Sequence, residues 1–187
     1  MARYLVPNER GNKTRRDRYN EKAEYAETFP ISVATINFQH DVNLAYVVRA
    51  AVCFGANEVC VIGDYPSRRI MNELSGSLFD YIEVKAFSNP SDFLRYTEKN
   101  DIKIVSVELP PENFQYCSIL EYNFDFSKQL CLIVGHETSG VPVEIMAKSD
   151  IVYIPMYGAG FCLNTAQAAN VALYEAVRRY KENMDLK

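Results

Sequence analysis

The sequence predicts an α/β domain in which a mostly parallel sheet carries helices on both faces. Short apolar runs alternate with segments whose apolar residues recur at helical spacing, the pattern of strands joined by crossover helices. One run, 130–134 (LCLIV), is apolar throughout and stops at Gly135, as a strand buried on both faces does. Polar and glycine-bearing loops follow three of the strands, at 39–43, 135–142 and 155–164. In open α/β sheets ligands bind beyond the carboxyl ends of the strands, where such loops gather.

Taken in order, residues 31–37 (ISVATIN) follow Pro30 and are rich in β-branched and apolar side chains, which predicts the first strand. Asp41 or Asn43 can cap the next helix, in which Leu44, Val47, Val48, Ala51, Val52 and Phe54 keep helical spacing until Gly55 stops it. Residues 58–62 form a second strand closed by Gly63, Asp64 and Pro66, and 67–74 a helix. A third strand is expected at 81–86, a helix at 90–99 with Phe93, Leu94 and Tyr96 on its apolar side, and a fourth strand at 102–107. Residues 110–128 open on the breaker Pro110-Pro111 and are the least regular stretch. Tyr116, Ile119, Leu120 and Tyr122 are its core candidates, and it has room for a short helix.

After the buried run, Pro142 suits the first turn of a short helix over 142–147, with Ile145 and Met146 as its apolar patch. Residues 150–154 form a further strand, stopped by Pro155. Residues 164–180 form a long helix whose Ala168, Val171, Ala172, Tyr174, Glu175 and Val177 share a closely packed side. Arg178, Arg179 and Lys181 stand near its expected C-terminal end, where cations complement the helix dipole.

A chain of 187 residues with 48% hydrophobic and 24% charged residues has the makings of one globular domain. The expected division is a basic N-terminal arm over 1–28 and a single domain over 29–187. No apolar run reaches the roughly 18 residues that span a bilayer, and residues 1–10 have no apolar centre of the secretory kind, so a cytoplasmic protein with no membrane partner is expected. Five cysteines form no close-spaced pair. Four of them, Cys53, Cys60, Cys131 and Cys162, sit beside Val, Leu or Phe and read as small buried hydrophobes. His40 and His136 have no partner at metal-ligand spacing, so no metal is expected.

A formal net charge of −4 argues against binding nucleic acid through the whole surface. The segment 8–19 is different, with Arg10, Lys13, Arg15, Arg16 and Arg18 against Glu9 and Asp17. It reads either as a place where a polyanion docks or as a solvated, partly helical arm.

Three segments carry the candidate chemistry. Asn43 puts an amide at the mouth of a helix, and Arg49 follows with its stem among apolar residues and its head free for an anion or a carbonyl. The loop Gly135-His-Glu-Thr-Ser-Gly140 lets a ligand approach the backbone closely and offers Glu137 as an acceptor. Its spacing fits neither a dinucleotide fingerprint nor a P-loop. The loop 154–164 leaves a strand at a proline, turns at Gly158 and Gly160, and presents Asn164 at a helix start, where it can cap the helix and touch a ligand. Each feature has a plain structural reading beside the functional one: a surface ion pair for Arg49, loop bracing for Glu137, capping for Asn164.

In order, spacing and placement after strands, these segments resemble the SpoU/TrmH-type family of RNA ribose methyltransferases within the SPOUT superfamily. That family's first motif pairs an Asn with an Arg six residues later, as Asn43 and Arg49 stand here. Its second runs Gly-x-Glu-x-x-Gly, matched by Gly135, Glu137 and Gly140. Its third runs Ile-Pro-Met-x-Gly and then Ser-Leu-Asn before a helix, matched by Ile154, Pro155, Met156, Gly158, Leu163 and Asn164. The resemblance spans about residues 31–180. Two positions depart: Ala45 stands where a Gly is usual, and Cys162 where a Ser is usual. A thiol is a weaker donor and a stronger acid than a hydroxyl, so Cys162 leaves the substrate contact open.

The resemblance implies a C-terminal deep trefoil knot and S-adenosylmethionine held bent between the second and third loops. Val134, Gly135, Glu137, Gly140, Ile154, Met156, Gly158 and Leu163 are the cofactor-binding residues it implies. It further implies methyl transfer to a ribose 2'-hydroxyl of tRNA or rRNA, and a homodimer in which motif one approaches the other subunit's cofactor. Arg49 would orient or deprotonate the hydroxyl, Asn43 and Glu137 hold the site together, Asn164 steady the ribose or the loop, and Cys162 face the substrate. Methylation of a base nitrogen in the same fold, and a knotted protein that grips RNA or a nucleotide without catalysis, remain as alternatives.

Overall fold

The computed structural model describes residues 13–185. Its strands are β1 (Ile31–Ile36), β2 (Glu58–Ile62), β3 (Glu83–Phe87), β4 (Lys103–Val107), β5 (Cys117–Ser118), β6 (Leu130–Val134) and β7 (Asp150–Tyr153). They form one sheet in the order β3-β2-β1-β6-β4-β7-β5, with every neighbouring pair parallel. The helices are α1 (Arg15–Ala23), α2 (Asp41–Phe54), α3 (Arg68–Ser75), α4 (Pro90–Lys99), α5 (Val143–Met146) and α6 (Thr165–Asp185). No described helix is long and apolar enough to cross a membrane.

The two-residue period of the strands sorts the core into two layers. Ile31 and Val33 of β1, Val59 and Val61 of β2, Val105 of β4 and Leu132 of β6 join a cluster with α2 and α6. The alternate residues Ala34, Ile36, Cys60, Ile62, Ile104, Cys131 and Ile133 pack with Phe93 of α4 and Ile145 and Met146 of α5. Full burial of each such branched side chain contributes about 1.5–3 kcal/mol, and both faces of the sheet are thus covered as expected. Buried hydroxyls are matched: Ser32 Oγ donates to the Leu130 carbonyl (3.0 Å), and the Ser106 and Ser149 hydroxyls lie 2.7 Å apart.

Several local expectations change. Neither Asp41 nor Asn43 caps α2: the helix already begins at Asp41, so both lie inside it, and His40 occupies the cap place without a side-chain bond. Residues 110–128 contain no helix. They wrap the sheet edge, add β5 beside β7, and anchor through buried Ile119, Tyr122 and Phe124, whereas Tyr116 and Leu120 are exposed. Cys60 and Cys131 are buried, but Cys53 and Cys162 are exposed. Cys53 shares the outer face of α2 with Tyr46 and Arg49, and Cys162 sits in an open loop. Since α6 runs on to Asp185, Arg178 and Arg179 fall within it and bind Glu175, while Lys181 pairs with Glu27.

The order of the strands departs from their order in the chain. β6 enters between β1 and β4, β7 flanks β4 on the far side, and α6 then returns to pack on α2 and β6. Of the basic arm expected over 1–28, residues 1–12, Arg10 among them, lie outside the described residues. The rest includes α1, which opens on a Thr14–Asp17 capping box and buries no residue. It docks through polar and edge contacts: Asn20 Oδ1 accepts from the Tyr81 hydroxyl (2.6 Å), and the Tyr19 ring meets that of Tyr81 edge-on at 5.7 Å.

Candidate active site

A cavity of about 450 Å³ opens at the carboxyl ends of β4, β6 and β7. One wall is Val134, Gly135, Glu137 and Gly140, leaving β6; another is Ile154, Met156, Cys162, Leu163 and Asn164, between β7 and α6. The Gly135–Gly140 loop turns back on itself through paired backbone bonds between His136 and Gly140 (3.1 and 3.0 Å). A side chain at Gly135 would strike the backbone of Gly140 and Val141 at 2.1 and 2.4 Å, and Gly140 has φ +67. Glycine alone meets both demands.

Glu137 does not project freely into this cavity. Its carboxylate accepts from the backbone of Gln39 (2.9 Å) and His40 (3.3 Å) and from the Asn43 amide (2.7 Å). Asn43 Oδ1 in turn accepts from the Asn164 amide (3.2 Å), and Asn164 Oδ1 takes the Ala166 N–H (2.9 Å) to cap α6. One chain of bonds therefore ties the start of α2, the loop after β6 and the start of α6. Burial pushes the Glu137 carboxyl up, but the donors from Gln39, Asn43 and His40 outweigh it and hold the group below its ordinary range. Glu137 stays ionised near neutral pH and serves as a brace.

Asn43, Glu137 and Asn164 are thus brought together, and Cys162 lines the cavity nearby. Arg49 is not among the residues that line it. The guanidinium stands at the C-terminal end of α3, with Nη1 3.2 Å from where a side-chain carbon on Gly76 would lie. Gly158 also stays outside the lining, and a side chain there would meet nothing within 4 Å. The flanking Tyr157 and Phe161 are 90% and 84% exposed, so this loop offers an apolar edge over the mouth. Among the described residues no group of three or more His, Cys, Asp or Glu could hold a metal ion.

Two contributors were missed in the sequence. Glu108, just past β4, lines the cavity and accepts the Val141 N–H (2.9 Å), and Thr165 donates to the Gly135 carbonyl (2.8 Å). The available signal for Glu108 was its place at the carboxyl end of a central strand.

The chain matches the model of the SpoU rRNA Methylase family over residues 30–174. It is 30% identical to the 23S rRNA (uridine(2479)-2'-O)-methyltransferase of Streptomyces viridochromogenes, over 73% of this chain and 48% of that protein. It is 25% identical to the tRNA (guanosine(18)-2'-O)-methyltransferase of Escherichia coli K12, over 73% of this chain and 58% of that one. The chain thus spans about half the length of these relatives. Its fold matches the A. aeolicus TrmH/SpoU tRNA modifying enzyme with a TM-score of 0.74 at 23% identity, over 90% of this chain and 85% of that one. The SpoU methyltransferase AviRb of Streptomyces viridochromogenes, solved in complex with the cofactor AdoMet, matches with a TM-score of 0.70 at 24% identity, over 87% and 64%. With most of its length matched by that family model, the chain belongs to the SpoU rRNA Methylase family.

Proposed function

We propose that this protein transfers a methyl group from S-adenosylmethionine to a ribose 2'-hydroxyl of tRNA or rRNA. The observation that carries this reading is the meeting of two motif loops on one cavity, braced through Glu137 and Asn43 to the third. The cavity suits the cofactor: about 450 Å³ lies in the range of small-molecule sites. Ile154 and Leu163 give apolar walls for an adenine, and the bare backbone at Gly135 and Gly140 leaves room for close hydrogen bonds. When bound, the cofactor supplies an electrophilic methyl group on a sulfonium. Residues near Val134, Met156 and Leu163 fix its orientation, and Asn43, Glu137 and Asn164 keep the loops in register. Gly158 acts by shaping the loop over the mouth.

The nucleophile is the ribose oxygen, and its handling falls to Arg49. A ribose hydroxyl holds its proton tightly near neutral pH, and a guanidinium with a pKa above about 12 is a poor base. Arg49 therefore orients the hydroxyl and neutralises the phosphate beside it, the proton passes to water as the oxygen takes the methyl group from the sulfonium, and proximity does the larger share of the work. Because Arg49 stands away from its own chain's cavity, it acts on that of a second copy. The exposed Val171 and Tyr174 of α6 and Tyr46 of α2 supply apolar surface for such a homodimer. A C-terminal trefoil knot in a SPOUT-type domain over 29–187 is part of this reading, which the strand order and the family match support. RNA is the partner, the arm over 1–28 lies outside the domain, and the cytoplasm is the compartment that suits such work.

Purified protein incubated with methyl-labelled S-adenosylmethionine and total tRNA or rRNA, followed by nuclease digestion and mass spectrometry, tests this. Label on the sugar is expected. Label on a base supports base N-methylation instead, and absence of both transfer and cofactor binding leaves a non-catalytic RNA-binding protein. Arg49→Ala should lower transfer by at least about 10²-fold while calorimetry finds the cofactor affinity unchanged.

A further inference from the structure

We infer that Arg15 and Arg49 form a clip that seats one RNA backbone phosphodiester over Gly76. The point where a side-chain carbon on Gly76 would lie is 3.2 Å from Arg49 Nη1 and 3.7 Å from Arg15 Nη1. The two guanidinium nitrogens are therefore no further apart than these distances together, on elements far apart in sequence. Neither side chain has a hydrogen bond or an ion pair among the described residues. Two carboxylates, one on α1 and one in the segment after α3, are held elsewhere: Asp80 by both Arg68 Nε and Nη2 (2.7 Å each), and Asp17 by the Thr14 hydroxyl and backbone.

The plainer explanation is that both arginines complement the C-terminal dipole of α3. That dipole end is worth roughly half a negative charge, against two full positive charges, so about one and a half remain unbalanced. A phosphodiester carries one negative charge and accepts paired N–H donors from each guanidinium. It fits the seat in charge and in hydrogen bonding. Gly76 keeps the seat open, since it has φ +72 and any side chain there would press on Arg49.

The placement of α1 points the same way. A helix that buries nothing adds little to the core, yet its docking on Tyr81 through Tyr19 and Asn20 sets Arg15 beside Arg49. The clip rests on the reading of Arg49 as the RNA-facing arginine. It assigns Arg15 a positioning role: the phosphate held between the two aligns the nucleotide whose ribose Arg49 addresses.

Binding of total tRNA, followed by fluorescence anisotropy over a range of salt, is compared for wild type, Arg15→Ala, Arg15→Lys and the distant control Arg95→Ala, alongside KM and kcat for methylation. Arg15→Ala should weaken RNA binding and raise KM about tenfold, and it should reduce the slope of log affinity against log salt by about one. Cofactor affinity and thermal melting should stay at wild-type values, and Arg15→Lys should recover part of the loss, because its ammonium is a single point charge. Unchanged affinity and salt slope in Arg15→Ala overturn the clip even if methylation is confirmed. A lost slope in a protein that transfers no methyl group upholds the clip and sinks the catalytic reading. Absence of RNA binding by the wild type removes both.

Discussion

Glu137 shows how a residue of catalytic appearance works through its neighbours. Its carboxyl is held below its ordinary value of 4.5 by donors that exist only in the fold, so near that pH the folded chain binds fewer protons than the unfolded one. The stabilisation is complete above the ordinary carboxyl range and fades as pH falls through the lowered value. Melting temperatures recorded downward from neutral pH should therefore hold level and then drop, with a shallower drop in Glu137→Gln. That variant turns its one amide nitrogen either to the Gln39 N–H or to the Asn43 amide, which donate to opposite oxygens of Glu137, and should cost about 1–3 kcal/mol at neutral pH, read by urea unfolding. Two glycines make a second contrast. Gly140→Ala meets a φ of +67 and Glu108 Oε2 at 2.5 Å, whereas a side chain on Gly158 meets nothing within 4 Å. Calorimetry should show S-adenosylmethionine affinity falling at least about tenfold in the first, where the native backbone conformation is incompatible with a side chain, and little change in the second. The sequence exposed Asn43, Glu137 and Asn164 by type and spacing, but the bonds joining them cross about a hundred residues of chain and leave no local trace.

Elements with a strong local pattern were legible: β2, α4 and β6 have the ends that their apolar runs and punctuating residues indicate. The stretch 110–128 was not, because its buried Ile119, Tyr122 and Phe124 follow neither the strand nor the helix period and are placed by tertiary contact alone. The Tyr122 hydroxyl donates to Asp150 (2.7 Å), which also receives Lys103 (2.9 Å). Burial and the Asp150 carboxylate both drive the Tyr122 phenol upward, so it stays protonated and keeps donating. At the opposite end of the sheet from the cavity, β2, β3 and α4 are joined through Glu58. This carboxylate is 3% exposed and holds Lys85 (2.6 Å), the Tyr96 hydroxyl (3.0 Å) and the Gln129 amide (3.2 Å). Replacing it with Ala removes the acceptor of the Tyr96 hydroxyl and the Gln129 amide and leaves Lys85 only the Tyr96 oxygen (2.8 Å) and the more distant Glu83 (3.7 Å), and should destabilise the protein by about 3 kcal/mol, visible in denaturant unfolding and with no direct effect on the cofactor site.

At the scale of the whole molecule, alternation of strands and helices foretold a parallel sheet, but not that β6 would enter between β1 and β4. Strand order depends on crossover paths, which local patterning does not encode. The division of labour that results is the centre of the account: one surface bears the cavity, and Arg49 stands on another, beside Gly76. On the proposed reading, a second copy brings the methyl donor to the ribose oxygen that Arg49 orients. Mixing two folded but inactive variants tests this most directly, one Arg49→Ala and the other Gly140→Val, which spoils the cavity. Refolded together in equal amounts, half the dimers are mixed and each has one complete site, so methyl transfer should return to about a quarter of the wild-type rate. Mixed dimers that form, as shown by differently tagged subunits, yet transfer no methyl group would contradict the account.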